Sequence, residues 1–277
     1  MKQNTPNMKA IFFDIDGTLV SFKTHEIPQS TIDTITQLKE NGHKVFISTG
    51  RPKMIINNLS KIEHLIDGYV TMNGGYSFIG DRVISKSIIP SEDVKTLADY
   101  CKQNNLATIF VGEHNIYVCQ PNKLVEEIFY KHLNVSVIPE TSYEDAIKND
   151  VLQITPFMTQ EQEDEIKPSI PNCQPERWNP AFVDIVKKGT TKETGLEVMR
   201  QHFGLRVEDI IAFGDGGNDL TMLKYAGVGI AMGNAADNVK AVADYVTTSV
   251  DEDGIMNGLK YLKLIYYLVN IEQVNRY

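Results

Sequence analysis

Four short polar clusters, spread along a chain of 277 residues, hold side chains of the types that handle phosphate and hard cations. Asp14 and Asp16 flank Ile15 directly after the apolar run Ala10–Phe13. In an extended segment, side chains at i and i+2 point the same way, so two carboxylates would crowd one small volume. A cation or a shared proton relieves such crowding. Asp215, within Gly214-Asp215-Gly216-Gly217-Asn218-Asp219, adds a third carboxylate, and an all-oxygen donor set suits magnesium. Thr49 and the backbone N–H of Gly50 can hydrogen-bond phosphate oxygens where a strand gives way to a helix. Lys192 can neutralise a nearby anion, Asn218 supplies a donor amide, and the glycines let backbone approach a ligand closely. No Walker-type glycine-rich loop, His-x-x-x-His pair or cysteine cluster is present, so zinc and nucleotide-kinase chemistry lack support.

A lone D-x-D-G reads equally well as a strand-to-turn corner. The elements that carry the clusters therefore decide. "KAIFFD" reads as a strand covered on both faces. A helix follows, with Pro28 near its start, Ile32, Ile35 and Leu38 on one face, and Gly42 as its stop. "KVFIST" is the next strand, and a helix is expected from Pro52 to about Ile62. "GYVTM" is another strand, with Asn73-Gly74-Gly75 and Gly80-Asp81 marking the turns of a hairpin. Beyond the middle of the chain, helix "TKETGLEVMRQHF", strand "DIIAFGD", helix "NDLTMLKYA", strand "VGIAM", helix "NAADNVKAVA" and strand "ADYVT" restore the alternation. Strands alternating with helices imply an α/β fold with a doubly wound parallel sheet, where ligands collect at the carboxyl ends of strands. Three strand ends here carry "DID", "STGR" and "GDGGND".

The segment 84–186 breaks this rhythm. It mixes helical patterns (91–104, 121–133, 144–148) with the strand-like runs "ATIFV", "NIYVC", "VLQIT" and "FVDIV", and Pro156, Pro168, Pro171, Pro175 and Pro180 punctuate it. It reads as an inserted α/β domain with an antiparallel sheet, leaving 8–83 and 187–277 as the core. A formal charge of −9 argues against broad nucleic-acid binding, which rests on a basic surface. An anionic small molecule then needs local positive charge. Three cysteines without a C-x-x-C pair suggest a reducing compartment. Met1–Asn7 lacks the apolar stretch of a signal peptide, and the tail "YLKLIYYLVNI" is too short to span a bilayer. The expectation is a cytoplasmic protein that engages no membrane.

Taken together, Asp14-Ile15-Asp16-Gly17-Thr18, Thr49-Gly50-Arg51, Lys192 and Gly214–Asp219 resemble the four ordered motifs of the haloacid-dehalogenase superfamily. The long insert and the Asn73-Gly74 pair are similar to its Cof-type branch, and the chain from Met8 onward is similar to the Bacteroides-type hexose-phosphate phosphatases of that branch. The resemblance implies a Rossmann-like core, an α/β cap and a magnesium-dependent phosphatase acting on small phosphorylated metabolites. It implies that Asp14 attacks phosphorus to form an aspartyl-phosphate, with Asp16 as acid and then base. Magnesium would be held by the Asp14 carboxylate, the Asp16 backbone carbonyl and Asp215. Thr49, Gly50, Lys192 and Asn218 would hold the phosphoryl group. Asp219 would orient Lys192 or a metal-bound water from behind.

Rival readings attach to several residues. Lys188 competes with Lys192 for the phosphate role. Arg51 serves either the substrate or a neighbouring carboxylate, and Asn73 is a ligand contact, a hinge or merely an Asn-Gly turn. Trp178 is a core residue or a sugar platform, Asp184, Arg177 and Gln120 are candidate cap contacts, and no histidine is assigned chemistry. Two other functions compete: a sugar phosphomutase of the same family and a non-catalytic phospho-aspartate receiver. A stable phospho-aspartate needs no second acid, so Asp16 and the large insert speak against the receiver.

Overall fold

Ala10–Phe13 (β1) is buried at every residue and pairs in parallel with a strand on each side, as a continuous apolar run requires. The computed structural model describes residues 8–265. After β1 come helix α1 (Gln29–Glu40) and strands β2 (Lys44–Ser48), β3 (Gly68–Thr71), β4 (Tyr76–Ile79) and β5 (Arg82–Lys86). A second group opens with α2 (Ser91–Gln103), β6 (Thr108–Val111), β7 (Ile116–Cys119) and a π-helix (Val125–His132). It continues through α3 (Tyr143–Ala146), β8 (Gln153–Pro156), α4 (Gln160–Ile166), β9 (Cys173–Asn179) and β10 (Phe182–Lys187). The chain then forms α5 (Lys192–Phe203), β11 (Ile210–Gly214), α6 (Leu220–Tyr225) and β12 (Val228–Ala231). Short α7 (Asp237–Lys240), β13 (Tyr245–Val246) and α8 (Gly254–Tyr261) follow.

The first sheet has the order β13-β12-β11-β1-β2-β3-β4-β5. Its strands are parallel from β13 to β3, and β4 and β5 are added antiparallel. Because strand side chains alternate, β1 feeds two layers. Ile11 and Phe13 pack with Ile35 and Leu38 of α1 and Ile255 and Leu259 of α8. Ala10 and Phe12 pack with Leu196 and Met199 of α5 and Met222 of α6. Each large apolar side chain so buried contributes roughly 1.5–3 kcal/mol relative to exposure. Helices thus cover both faces, and the crossovers reverse direction at β1, whose carboxyl end is the expected ligand crevice.

The second sheet is antiparallel, in the order β7-β6-β8-β10-β9. One face packs on α2 through Phe110, Ile154 and Ile185 against Val94, Leu97 and Cys101. The opposite face brings Ile109, Val111, Phe157 and Phe182 against Ile55, Met72 and Phe78 of the first unit. The inserted domain is therefore seated by apolar contact over the strand ends.

Several expectations need correction. No α-helix forms after Pro52; 3₁₀ turns at Lys53–Ile55 and Glu63–Leu65 flank extended backbone at Ile56. The β-branched Ile55-Ile56 pair followed by Asn57-Asn58 gives a helix little intrinsic support. The expected joins at 84 and 186 fall inside strands: Lys86 still pairs with Tyr76, and Lys187 with Cys173. β9 was not expected, since Pro175 sits within it. As an edge strand, β9 tolerates a residue without an N–H. α4 was also missed, and the expected helix over 234–243 shrinks to α7. Met1–Asn7 and the tail beyond Ile265 lie outside the described residues. Among the described residues no helix is long and apolar enough to cross a membrane.

Candidate active site

Asp14 follows β1 directly, its N–H donating to the Phe213 carbonyl at 3.1 Å, so the sheet pairing itself fixes the carboxylate. The chain then turns at Gly17, with φ +83°, against the loop after β11. A Cβ on Gly17 would lie 2.3 Å from Asp215 Oδ2, which explains the glycine of D-x-D-G. Thr18 Oγ1 donates to Asp215 Oδ1 at 2.9 Å. Lys192 opens α5, which Thr191 caps by accepting from the Thr194 N–H. Gly74, φ +94°, lets the turn after β3 press on this helix start: a Cβ there would sit 2.0 Å from the Thr191 carbonyl oxygen.

Lys192 is 1% exposed, and its Nζ donates to Asp14 Oδ1 and Asp219 Oδ1, both at 2.6 Å. Asp219 Oδ2 accepts the N–H groups of Asp215 and Gly216 at 2.9 and 2.8 Å. Both Asp219 oxygens are thus occupied, one orienting the lysine and one shaping the loop. Carboxylate oxygens of Asp14, Asp215 and Asp219 lie within 4.8 Å of one another, and the Lys192 ammonium bonds two of the three acids, Asp14 and Asp219. Burial, opposed in part by Lys192 and reinforced by Asp219 and Asp16, raises Asp14 to a pKa of about 7. Burial, then repulsion from Asp14 and Asp219, pushes Asp215 well above the usual carboxylate range. For Lys192, burial favours the neutral amine, but Asp14 and Asp219 overcome it and hold the charge. Surplus negative charge on oxygen donors fits a hard divalent cation.

Asp16 takes a different partner. Arg51 grips it with two bonds of 2.7 Å, from Nε and Nη2, and also donates to the carbonyls of Ile55 and Leu133. Leu133 lies just past the π-helix, so this buried guanidinium joins the acid to the inserted domain. A cleft of ≈ 290 Å³ opens at the strand ends, lined on one side by Asp14, Asp16, Thr49, Gly50, Asp215 and Asn218. His132, Trp178 and Asn179 wall the other side, and His132 stacks on Phe22.

A haloacid dehalogenase-like hydrolase family model matches residues 11–259. The chain is a haloacid dehalogenase-like hydrolase. Among solved structures similar to it, the haloacid dehalogenase (HAD) subclass IIB sugar phosphatase BT4131 is 54% identical. Its TM-score is 0.90, covering 93% of this chain and 100% of its own. The phosphatase BT1666 from Bacteroides thetaiotaomicron is 32% identical with a TM-score of 0.84, covering 96% and 98%. YkrA of Bacillus subtilis (strain 168), named provisionally as a phosphatase, is 32% identical over 260 residues, 93% of this chain and 98% of its own. Matched by phosphatases over nearly its whole length, this hydrolase is a phosphoric monoester hydrolase.

Within this hydrolase, the residues expected from the sequence divide into two depths. Asp14, Asp16, Thr49, Gly50, Arg51, Asp215 and Asn218 reach the cleft, whereas Lys192 and Asp219 lie beneath it. Lys188 is exposed and takes no part. Asn73 and Asp184 are buried and bonded to one another. Trp178 is both a wall of the cleft and packed edge-on against Phe182. Arg177 is a structural clamp, paired with Glu163 and donating to the Met158 and Phe182 carbonyls, and Gln120 sits on an exposed turn. The sequence reading missed Asn234, which donates to Asp215 Oδ2 and the Gly17 carbonyl. Its position just after strand β12 was the available signal, since strand ends carry the site. His132 was also passed over; nothing local marks it.

Proposed function

We propose that the enzyme is a magnesium-dependent phosphatase of hexose phosphates that works through an aspartyl-phosphate on Asp14. The observation that carries this reading is Asp14 itself: a carboxylate anchored at the end of β1, tied to a buried lysine and facing a cleft roofed by the inserted domain. An Asp14 oxygen attacks phosphorus and the bond to the ester oxygen breaks, while Asp16, entering this step protonated and released from the two-bond grip of Arg51, gives that oxygen its proton. Water then attacks the phosphoryl group on Asp14, Asp16 takes the proton, and phosphate leaves. Lys192 balances charge on Asp14 and the transferring oxygens, Thr49, the Gly50 N–H and Asn218 donate to the equatorial oxygens, and Asp219 holds Lys192 in place. The Asp14 and Asp215 carboxylates and the Asp16 carbonyl would hold magnesium, which when bound neutralises the carboxylates and polarises the phosphoryl oxygens.

We further take 84–186, trimmed to the strand ends at Lys86 and Lys187, as the cap that sets specificity. A cleft of sugar size, walled by Trp178 and Asn179 and lined by acids and amides, supports a polyhydroxylated substrate, as does the 54% identity to a sugar phosphatase. Three buried, unpaired cysteines support a reducing, cytoplasmic setting. The test is phosphate release from a panel of phosphorylated metabolites, with magnesium and with EDTA. Magnesium-dependent release, fastest for hexose phosphates over a small aryl phosphate, is expected. Isomerised sugar phosphate with no free phosphate would assign a mutase instead.

A further inference from the structure

The cap reaches the phosphate loop through two buried side chains, Asp184 and Asn73, that lie behind the cleft-lining Asn218. Asp184, in the middle of β10, is 3% exposed, and its carboxylate accepts four hydrogen bonds. Oδ1 takes Thr155 Oγ1 at 2.7 Å and Gln153 Nε2 at 3.1 Å. Oδ2 takes Trp178 Nε1 at 3.1 Å and Asn73 Nδ2 at 3.2 Å. Asn73 belongs to the core, is fully buried, and holds the left-handed backbone conformation at φ 51°, ψ 37°. Its Oδ1 accepts from Asn218 Nδ2 at 2.9 Å. The contact runs directly over Gly50, where a Cβ would come within 3.2 Å of both Asn73 and Asp184.

The polarity of this chain follows from donor chemistry. A carboxylate only accepts, so Asn73 must turn its NH2 toward Asp184 and therefore its oxygen toward Asn218. Asn218 must then turn its own NH2 toward Asn73, which leaves its second N–H as the donor it offers an oxyanion. Either amide would otherwise be free to flip, and a flipped Asn218 would present a carbonyl oxygen to phosphate. We propose that Asp184 is a positioning residue for phosphate binding: through Asn73 it fixes the orientation of the Asn218 amide, so that a seated cap completes the phosphate site. This rests on the phosphatase reading, in which Asn218 donates to the substrate phosphate. Burial raises the Asp184 carboxyl to about 6, opposed by the bonds from Thr155, Trp178 and Asn73, so near neutral pH it remains the acceptor that the chain requires.

The test reads phosphate rather than sugar. Competitive inhibition by inorganic phosphate, which carries no sugar to touch the cap, is measured against a small aryl phosphate. Asp184→Leu, close in size but unable to accept a hydrogen bond, should weaken inhibition about tenfold, the loss of one hydrogen bond to a charged group. Asn73→Gly, which suits the left-handed backbone, should do the same and decides the matter if Asp184→Leu does not fold. In an Asn218→Ala background neither change should weaken phosphate binding further, because the chain then ends on nothing. If the wild type is inhibited by phosphate but both variants match it, the inference is overturned and the phosphatase reading stands. Full, additive losses in the Asn218→Ala background would also overturn it, since Asp184 would then act independently. A wild type that hydrolyses no phosphate ester would overturn both.

Discussion

Replacing Lys192 by Met keeps the length of the side chain and removes its charge. In the folded protein Nζ stands 2.6 Å from Asp14 and 2.6 Å from Asp219, with essentially no exposure to water. The substitution leaves two buried carboxylates facing an apolar thioether, with Asp215 close by. Breaking a buried ion pair by removing one partner costs about 3–5 kcal/mol. In EDTA the unfolding free energy obtained from urea titration should fall by that amount. Saturating magnesium should restore part of it, because a cation bound at about a hundred times its dissociation constant contributes about 2.7 kcal/mol. Catalysis should not recover with stability: losing one preorganised charge contact to the transferring oxygens costs about a hundredfold or more in kcat. Lys188→Ala, at an exposed position, is the control and should behave as wild type. Turnover of Lys192→Met within tenfold of wild type, or a larger loss in Lys188→Ala, would refute the assignment.

On the magnesium proposal, proton and cation compete for the same carboxylates. With Asp14 raised from 3.8 to about 7, chiefly by burial, magnesium affinity should fall about tenfold per pH unit below about 7 and level off above it. Titration calorimetry at about pH 6 and about pH 8 checks this, and equal affinities would contradict it. In EDTA the sign for stability is opposite: the folded protein binds the extra proton, so the Asp14 contribution is present below 3.8 and is lost as pH rises through about 7. Gly74→Ala should both unfold more easily, by about 2 kcal/mol or more, and lose activity, since its Cβ would strike the Thr191 carbonyl that starts α5. Wild-type melting and kinetics would show that this turn does not set the lysine.

The core of the site was legible because its residues adjoin the strands that carry them. Asp14, Thr49 and Asp215 each follow an apolar run within a residue or two, so the strand-end rule located them from local pattern alone. Asp184 offered a weaker signal, an acid inside "FVDIV", where a buried charge demands partners. Its partners Asn73 and Gln153 lie far away in sequence and could not be inferred. The grip of Arg51 on Asp16 and on the Leu133 carbonyl is invisible for the same reason. Helix α4 left its mark in the Thr159–Gln162 capping box at the head of its polar run. β9 did not: its half-buried residues and Pro175 lack strand alternation, and only pairing with β10 makes it a strand.

The central claim is that Asp14 carries the phosphoryl group and Asp16 moves the protons, and Asp16→Asn separates the two. The amide keeps the backbone carbonyl and much of the shape but loses proton transfer, commonly worth about 10²–10⁴ in rate. An aryl phosphate has a leaving group good enough to phosphorylate Asp14 without an acid, whereas discharge by water still needs the base. Rapid-quench kinetics followed by peptide mass spectrometry should therefore give a burst of phenolate close to one per enzyme. The same sample should carry one phosphoryl group on the peptide containing Asp14. No burst and no covalent phosphate, in a variant that still binds inorganic phosphate, would contradict the account.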